Sequence, residues 1–268
     1  MSAAGQLPGI SGISGISAIL LDAGGVLVFP EPDRVLPPLQ AAGFSPDLAT
    51  LERAHYQAMA IQDAAALPPV QDTWWRDYLL TYIAACGVPE DRCEALAHEV
   101  DHGVRGYSWA HVGLGAIAGL RAVAALGLPM GVVSNSDGTV ESDLRRLGVC
   151  YAPEAPDAAD TPGTTAPPPA GPELTGVQVG VVIDSAVVGV AKPDPAIFYI
   201  ALNALGVPPG GTVLHVGDSL RYDVAGALAA GLQPVHMDPY GFCPEPSGHP
   251  HVRSLAELAG RYPLAADI

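Results

Sequence analysis

Five largely apolar runs limit what this chain can fold into: Ala18-Ile19-Leu20-Leu21, Met130-Gly131-Val132-Val133, residues 179–183, Val213-Leu214-His215-Val216 and Pro234-Val235-His236-Met237. Three of them end abruptly, at Asp22-Ala23-Gly24-Gly25, at Ser134-Asn135-Ser136-Asp137-Gly138 and at Gly217-Asp218. A continuous apolar run closed by glycine reads as a strand buried on both faces and entering a tight loop. Strands of that kind belong to parallel sheets covered on both sides. Helical patterns fall between the runs, at 115–126, 139–147, 195–205 and 223–230. Strand and helix therefore alternate, which predicts a doubly wound α/β fold with a mainly parallel, Rossmann-like sheet. Ligands of such sheets collect at the carboxyl ends of the strands. Asp22, Ser134 and Asp218 each follow a strand, so the topology should bring them together.

Residues 32–107 break the alternation. They read as helices at about 47–65, 73–86 and 91–104 with no clear strand, which predicts a small all-helical, cap-like subdomain inserted after the first strand. The α/β core then comprises 18–31 and 108–268. Within it, 151–176 is biased to Pro, Thr, Ala, Asp and Glu and reads as a low-complexity surface loop. Residues 1–17 carry a Gly-Ile-Ser triplet repeat, no basic residue and no long apolar run. They read as a disordered tail, neither a signal peptide nor a membrane span.

The formal charge of −16 argues against nucleic acid and against an anionic membrane surface as partners. An acidic protein that handles an anionic ligand needs a local positive device, a metal ion or a well-placed cation. Lys192 is the one lysine in the chain, set in Gly189-Val190-Ala191-Lys192-Pro193-Asp194-Pro195. The cysteines Cys86, Cys93, Cys150 and Cys243 form no CxxC pair and no ligand spacing with histidine, so they read as reduced thiols of a cytoplasmic protein. His215 lies inside a strand pattern and reads as a core histidine. Trp74, Trp75 and Tyr78 read as the packing face of a helix more than as a substrate wall. Nothing in the pattern speaks to oligomeric state.

Four segments in order, Leu20-Leu21-Asp22-Ala23-Gly24-Gly25-Val26-Leu27, Val132-Val133-Ser134-Asn135, Lys192-Pro193-Asp194-Pro195 and Gly217-Asp218 through Asp223 to Ala227, resemble the motifs of the haloacid dehalogenase-like (HAD) hydrolases. The position of the helical insert resembles the subgroup with a helical cap after the first strand. The resemblance implies a Mg²⁺-dependent phosphatase acting on a small phosphorylated metabolite. It makes Asp22 the nucleophile that forms an aspartyl-phosphate. Ser134 and Asn135 would bind the phosphoryl oxygens, and Lys192 would offset the charge on both Asp22 and the phosphoryl group. Asp22, the Gly24 carbonyl, Asp218 and Asp223 would hold Mg²⁺ through hard oxygen donors. Taken alone, Asp218 and Asp223 also suit a helix start.

The chain departs from the phosphatase pattern at Gly24, where such enzymes carry the aspartate that serves as general acid and base. That function is worth about 10²–10⁴-fold in rate, and glycine cannot supply it. Proton transfer could then come from the cap, with His55, Glu31 and Asp33 as candidates, or from the substrate or water. The same substitution is compatible with a module that binds a phosphorylated ligand or partner without turnover. A 2-haloacid dehalogenase also lacks the second aspartate, but it uses no metal and lacks the Gly-Asp pair. The Schiff-base route of phosphonoacetaldehyde hydrolases is excluded, because the cap contains no lysine.

Overall fold

The computed structural model describes residues 15–64, 74–104, 109–153, 175–210, 212–245 and 248–261. Strand β1 (Ala18–Leu21) runs into β2 (Val28–Phe29), and four helices follow: α1 (Pro32–Ala41), α2 (Leu48–Ala64), α3 (Trp74–Ala85) and α4 (Glu90–Val104). The chain continues through β3 (His111–Val112), α5 (Ala116–Ala124), β4 (Met130–Ser134) and α6 (Val140–Arg146). Next come β5 (Cys150–Tyr151), β6 (Val177–Gln178), β7 (Val181–Asp184), α7 (Ser185–Val188) and α8 (Ala196–Leu205). It closes with β8 (Val213–Gly217), a π-helical turn (Leu220–Val224), α9 (Ala225–Ala229), β9 (Gln233–Met237), β10 (His251–Val252) and α10 (Leu255–Arg261). No described helix is long and apolar enough to cross a membrane.

Six strands form one parallel sheet in the order β10-β9-β8-β1-β4-β7. The period of two along each strand explains the continuous apolar runs. On β1, Ile19 and Leu21 pack into one core cluster with Val132, Leu214 and Val216, while Ala18 and Leu20 pack into another with Val133, Ile197, Phe198 and Val213. Both faces are covered, so both sets of side chains on β1 are apolar. At about 25 cal/mol per Å² of apolar surface removed from water, this double burial dominates the stability of the sheet.

Helices α1 to α4 share a core of their own, built on Val35, Leu39, Leu51, Tyr78, Tyr82, Ile83 and Val100. Helix α1 was not foreseen in the sequence. Pro32 opens it, but Pro37 and Pro38 lie inside it, where proline normally breaks a helix by removing a donor. Two further elements differ from expectation. The helical pattern at 223–230 begins as a π turn, so Asp223 lies in that turn rather than at the start of a helix. Strand β10, only two residues long, completes the sheet edge beside β9. The expected loop at 151–176 lies outside the described residues over 154–174; its ends, β5 and β6, pair in parallel. The expected tail also lies outside them over 1–14.

Candidate active site

Strands β8, β1 and β4 are neighbours in the sheet, and their carboxyl ends carry Asp218, Asp22 and Ser134 respectively. Topology thus aligns the three residues in a row. The π turn returns Asp223 to the same place. One carboxylate oxygen from each of Asp22, Asp218 and Asp223 lies within 4.8 Å of the others, and all three residues are buried. Gly217 makes this possible, since a Cβ at that position would collide with the Asp223 carboxyl group.

Lys192 reaches into the cluster from the segment before α8. Its Nζ is 2.9 Å from Asp22 Oδ1 and 2.7 Å from Asp223 Oδ1, and the side chain is almost wholly buried. Asn135 sets its position: Lys192 N donates to Asn135 Oδ1 (2.7 Å), and Asn135 Nδ2 donates to the Lys192 carbonyl (3.0 Å). The Asn135 amide, grouped with phosphate binding in the sequence, is thus engaged in clamping the lysine backbone. Asp223 is held from further sides by His215 Nε2 (2.8 Å from Oδ1) and by Ser219 N, which donates to Oδ2 (3.1 Å).

Burial sets the protonation balance here. It pushes the Asp22 carboxyl up to about 7, with Lys192 opposing and the charges of Asp223 and Asp218 reinforcing. Asp223 is equally buried, but Lys192 and then His215 outweigh burial and hold it well below the carboxylate range. Burial also works against the Lys192 charge, yet Asp22 and Asp223 prevail and raise its ammonium above the ordinary value. Three carboxylates share one ammonium, which leaves an excess of negative charge in a buried site.

The helices roof this cluster and touch it directly. His55 on α2, 1% exposed, places Nε2 2.6 Å from Asp218 Oδ2 and Nδ1 2.9 Å from the Tyr78 hydroxyl on α3. Gly25 (φ +67°) gives the room, because a Cβ there would collide with both Asp218 and His55. Of the three acid–base candidates read from the sequence, His55 lines the cavity; Glu31 instead pairs with Arg34 at 3.0 Å, and neither it nor Asp33 is among the lining residues. Asp63, near the end of α2, makes a second bridge that sequence reasoning missed. It accepts from Ser219 Oγ (3.0 Å), Leu220 N (2.7 Å) and Arg221 N (3.3 Å), capping the π turn that carries Asp223. Burial pushes its carboxyl up to about 6, against the pull of the Leu220 amide and the Ser219 hydroxyl.

Between core and helices lies a cavity of about 550 Å³, with Asp22, Lys192 and Asp218 on one wall and Met59, Trp74 and Trp75 on the other. Trp74 and Trp75 both stack on Tyr78, so these aromatics are packing face and cavity wall at once. Trp109 packs beside Gly24. A Cβ on Gly24 would lie 3.4 Å from the Trp109 ring, an ordinary van der Waals contact, so the indole borders this position. Trp109 also packs edge-on to His55, with ring centroids 5.3 Å apart.

Comparison with known proteins agrees with this architecture. The haloacid dehalogenase-like hydrolase family matches over residues 16–231. The chain is 30% identical over 161 residues to haloacid dehalogenase-like hydrolase domain-containing protein 3 of Danio rerio, covering 60% of this chain and 55% of that protein. It is 45% identical over 71 residues to N-acylneuraminate-9-phosphatase of Homo sapiens, covering 25% of this chain and 28% of that one. The chain therefore spans about half the length of the first relative and little more than a quarter of the second. Among solved structures, the HAD-hydrolase YfnB of Bacillus subtilis bound to magnesium aligns over 92% of this chain and 98% of that one. Its TM-score is 0.50 at 14% identity, a likeness of fold alone. With its motifs in order on a parallel sheet and its carboxylates at the strand ends, the chain belongs to the haloacid dehalogenase-like hydrolase family.

Proposed function

We propose that this chain is a Mg²⁺-dependent phosphoric monoester hydrolase that cleaves a small phosphorylated metabolite through an aspartyl-phosphate on Asp22. The observation that carries this reading is the wedge of Lys192 between Asp22 and Asp223, at 2.9 and 2.7 Å, on the wall of the cavity between core and helices. A single ammonium so placed steadies the ionised nucleophile and meets the charge of an incoming phosphoryl group. The similarity to an N-acylneuraminate-9-phosphatase supports a phosphate ester as the substrate class.

The residues fit the metal. Three buried carboxylates against one ammonium are a hard, oxygen-rich and under-compensated set, the donor type that Mg²⁺ prefers. Asp22, Asp218 and the Gly24 carbonyl would hold it, with Asp223 completing the site directly or through water. When bound, the ion supplies positive charge against the phosphoryl oxygens. An Asp22 oxygen then bonds to phosphorus as the ester P–O bond breaks, and the leaving oxygen takes a proton. Water next attacks the same phosphorus, releasing inorganic phosphate and restoring the carboxylate. Ser134 donates to the phosphoryl oxygens.

His55 stands in for the acid that Gly24 lacks. It is the imidazole that α2 brings to the cavity wall. The Tyr78–His55–Asp218 chain fixes the orientation of its ring. The helices act as a cap whose aromatic wall selects the organic part of the substrate.

The test is hydrolysis of an aryl phosphate by purified protein with Mg²⁺, with EDTA, and after Mg²⁺ alone is added back, beside a 2-haloacid without metal. Turnover of the phosphate that EDTA abolishes and Mg²⁺ restores is expected. Metal-independent halide release from the haloacid, or silence toward every phosphate ester, would overturn the reading.

A further inference from the structure

A second cluster of metal-ligating side chains lies at the sheet edge, on the far side of Asp218. His236 sits in β9, His251 in β10 directly opposite it in register, and Cys243 and His249 lie on the connection between the two strands. One donor atom from each of the four lies within 4.8 Å of the others, and His236, Cys243 and His249 are buried. Cys243, which shows no ligand spacing with histidine along the sequence, is brought beside three histidines by the fold.

The distances match one kind of occupant. His236 Nδ1 is 3.2 Å from His249 Nε2, and Cys243 Sγ is 3.6 Å from the same Nε2. Zinc bonds of about 2.05 Å to nitrogen and about 2.3 Å to sulfur, at tetrahedral angles, separate two nitrogens by about 3.3 Å and nitrogen from sulfur by about 3.6 Å. The supporting groups also match. His236 Nε2 donates to the Asp218 carbonyl at 3.0 Å, which leaves Nδ1 bare and facing the cluster. Ligating imidazoles are commonly oriented in this way by the other ring nitrogen. Asp238 accepts from Phe242 N (2.9 Å) and Cys243 N (3.1 Å), fixing the loop that presents the thiol. His251 Nε2 is buried with no hydrogen-bond partner among the described residues, a polar atom left open to a ligand.

We infer that His236, Cys243, His249 and His251 form a structural zinc site that ties β10 and its connecting loop to the end of β9. One thiolate and three imidazoles are borderline-soft donors, suited to Zn²⁺ and poor for Mg²⁺. Four protein ligands leave no open position, so the site holds structure rather than performing chemistry. Through His236 and the Asp218 carbonyl it also buttresses the strand end that carries the catalytic cluster.

The test is elemental analysis of full-length protein offered Zn²⁺ and then gel-filtered, with the visible spectrum of the Co²⁺-loaded form as a second readout. About one zinc per chain is expected, retained in Asp22→Asn and lost in Cys243→Ser and His249→Ala. Co²⁺ should give intense tetrahedral d–d bands and a thiolate charge-transfer band, and Cys243→Ser should remove the latter. If the variants do not fold, the wild-type cobalt spectrum still decides. A wild-type protein that retains no zinc, or binds cobalt only with weak octahedral absorption and no thiolate band, would reduce the cluster to hydrogen-bonded side chains.

Discussion

The two walls of the cavity are built on different principles. The sheet wall carries Asp22, Ser134 and Asp218 at the ends of three adjacent parallel strands, so chain topology alone places them side by side. The helical side carries His55, which lines the cavity, and Asp63 near the end of α2, and they meet the site only because that helix docks where it does. Groups on the first wall should matter to every substrate. Groups on the second should matter according to what the substrate asks of them.

The largest effect should come from the sheet side. Lys192→Met leaves Asp22 and Asp223 buried without their cation, and breaking such a pair costs about 3–5 kcal/mol. Urea unfolding should show that loss together with the disappearance of turnover on all phosphate esters. Wild-type stability in this variant would mean that the cluster is open to water. His55→Gln on the other wall should lower kcat by about 10²-fold on alkyl phosphates and far less on aryl phosphates, whose leaving groups need little protonation. Equal losses on both classes would make His55 a packing residue rather than a proton donor.

A smaller effect tests the vacancy at Gly24. Gly24→Asp alone should gain less than the double variant below, because its Cβ already touches the Trp109 ring at 3.4 Å and limits the rotamers open to the carboxyl group. Combined with Trp109→Ala it should raise alkyl phosphate turnover, by about tenfold if a fraction of normal acid–base help returns. An equal gain in the single variant would show that the indole yields readily. The smallest effect concerns Asp63. Its carboxyl is raised to about 6 by burial, above its unfolded value, so its stabilising contribution is present in acid and is lost as pH rises through about 6. Asp63→Asn removes that titration. Its unfolding free energy relative to wild type should therefore increase between about pH 4 and 6 and stay level above. A difference independent of pH would leave the bridge to the π turn without an electrostatic role.

The same contrast explains what could be read in the sequence. The apolar runs located five of the six sheet strands, because the central strands are buried on both faces and are therefore mostly apolar, with His215 a buried exception held by Asp223. The residues that follow those runs located the sheet wall of the site. Beyond that the reading was partial. Asn135 was recognised as belonging to the site, but its hold on the Lys192 backbone needs the fold to bring two segments 57 residues apart together. His55 was one of three acid–base candidates with nothing in its spacing to rank it. Asp63 and Trp109 carry no local signal at all. Helix α1 was hidden by Pro37 and Pro38, and β10 is too short to show a period. The histidine–cysteine cluster escaped for the same reason. Its donors come from two strands and a loop, so the spacing of 236, 243, 249 and 251 matches no compact ligand motif.

The central claim rests on Asp22 as the attacking group. Purified Asp22→Asn should be compared with wild type for Mg²⁺-supported aryl phosphate hydrolysis, with circular dichroism and thermal unfolding showing that both are folded. The account predicts a folded variant whose turnover has fallen by about 10⁴-fold or more, the scale of losing a nucleophile. A folded Asp22→Asn protein that still hydrolyses the ester at the wild-type rate would contradict it.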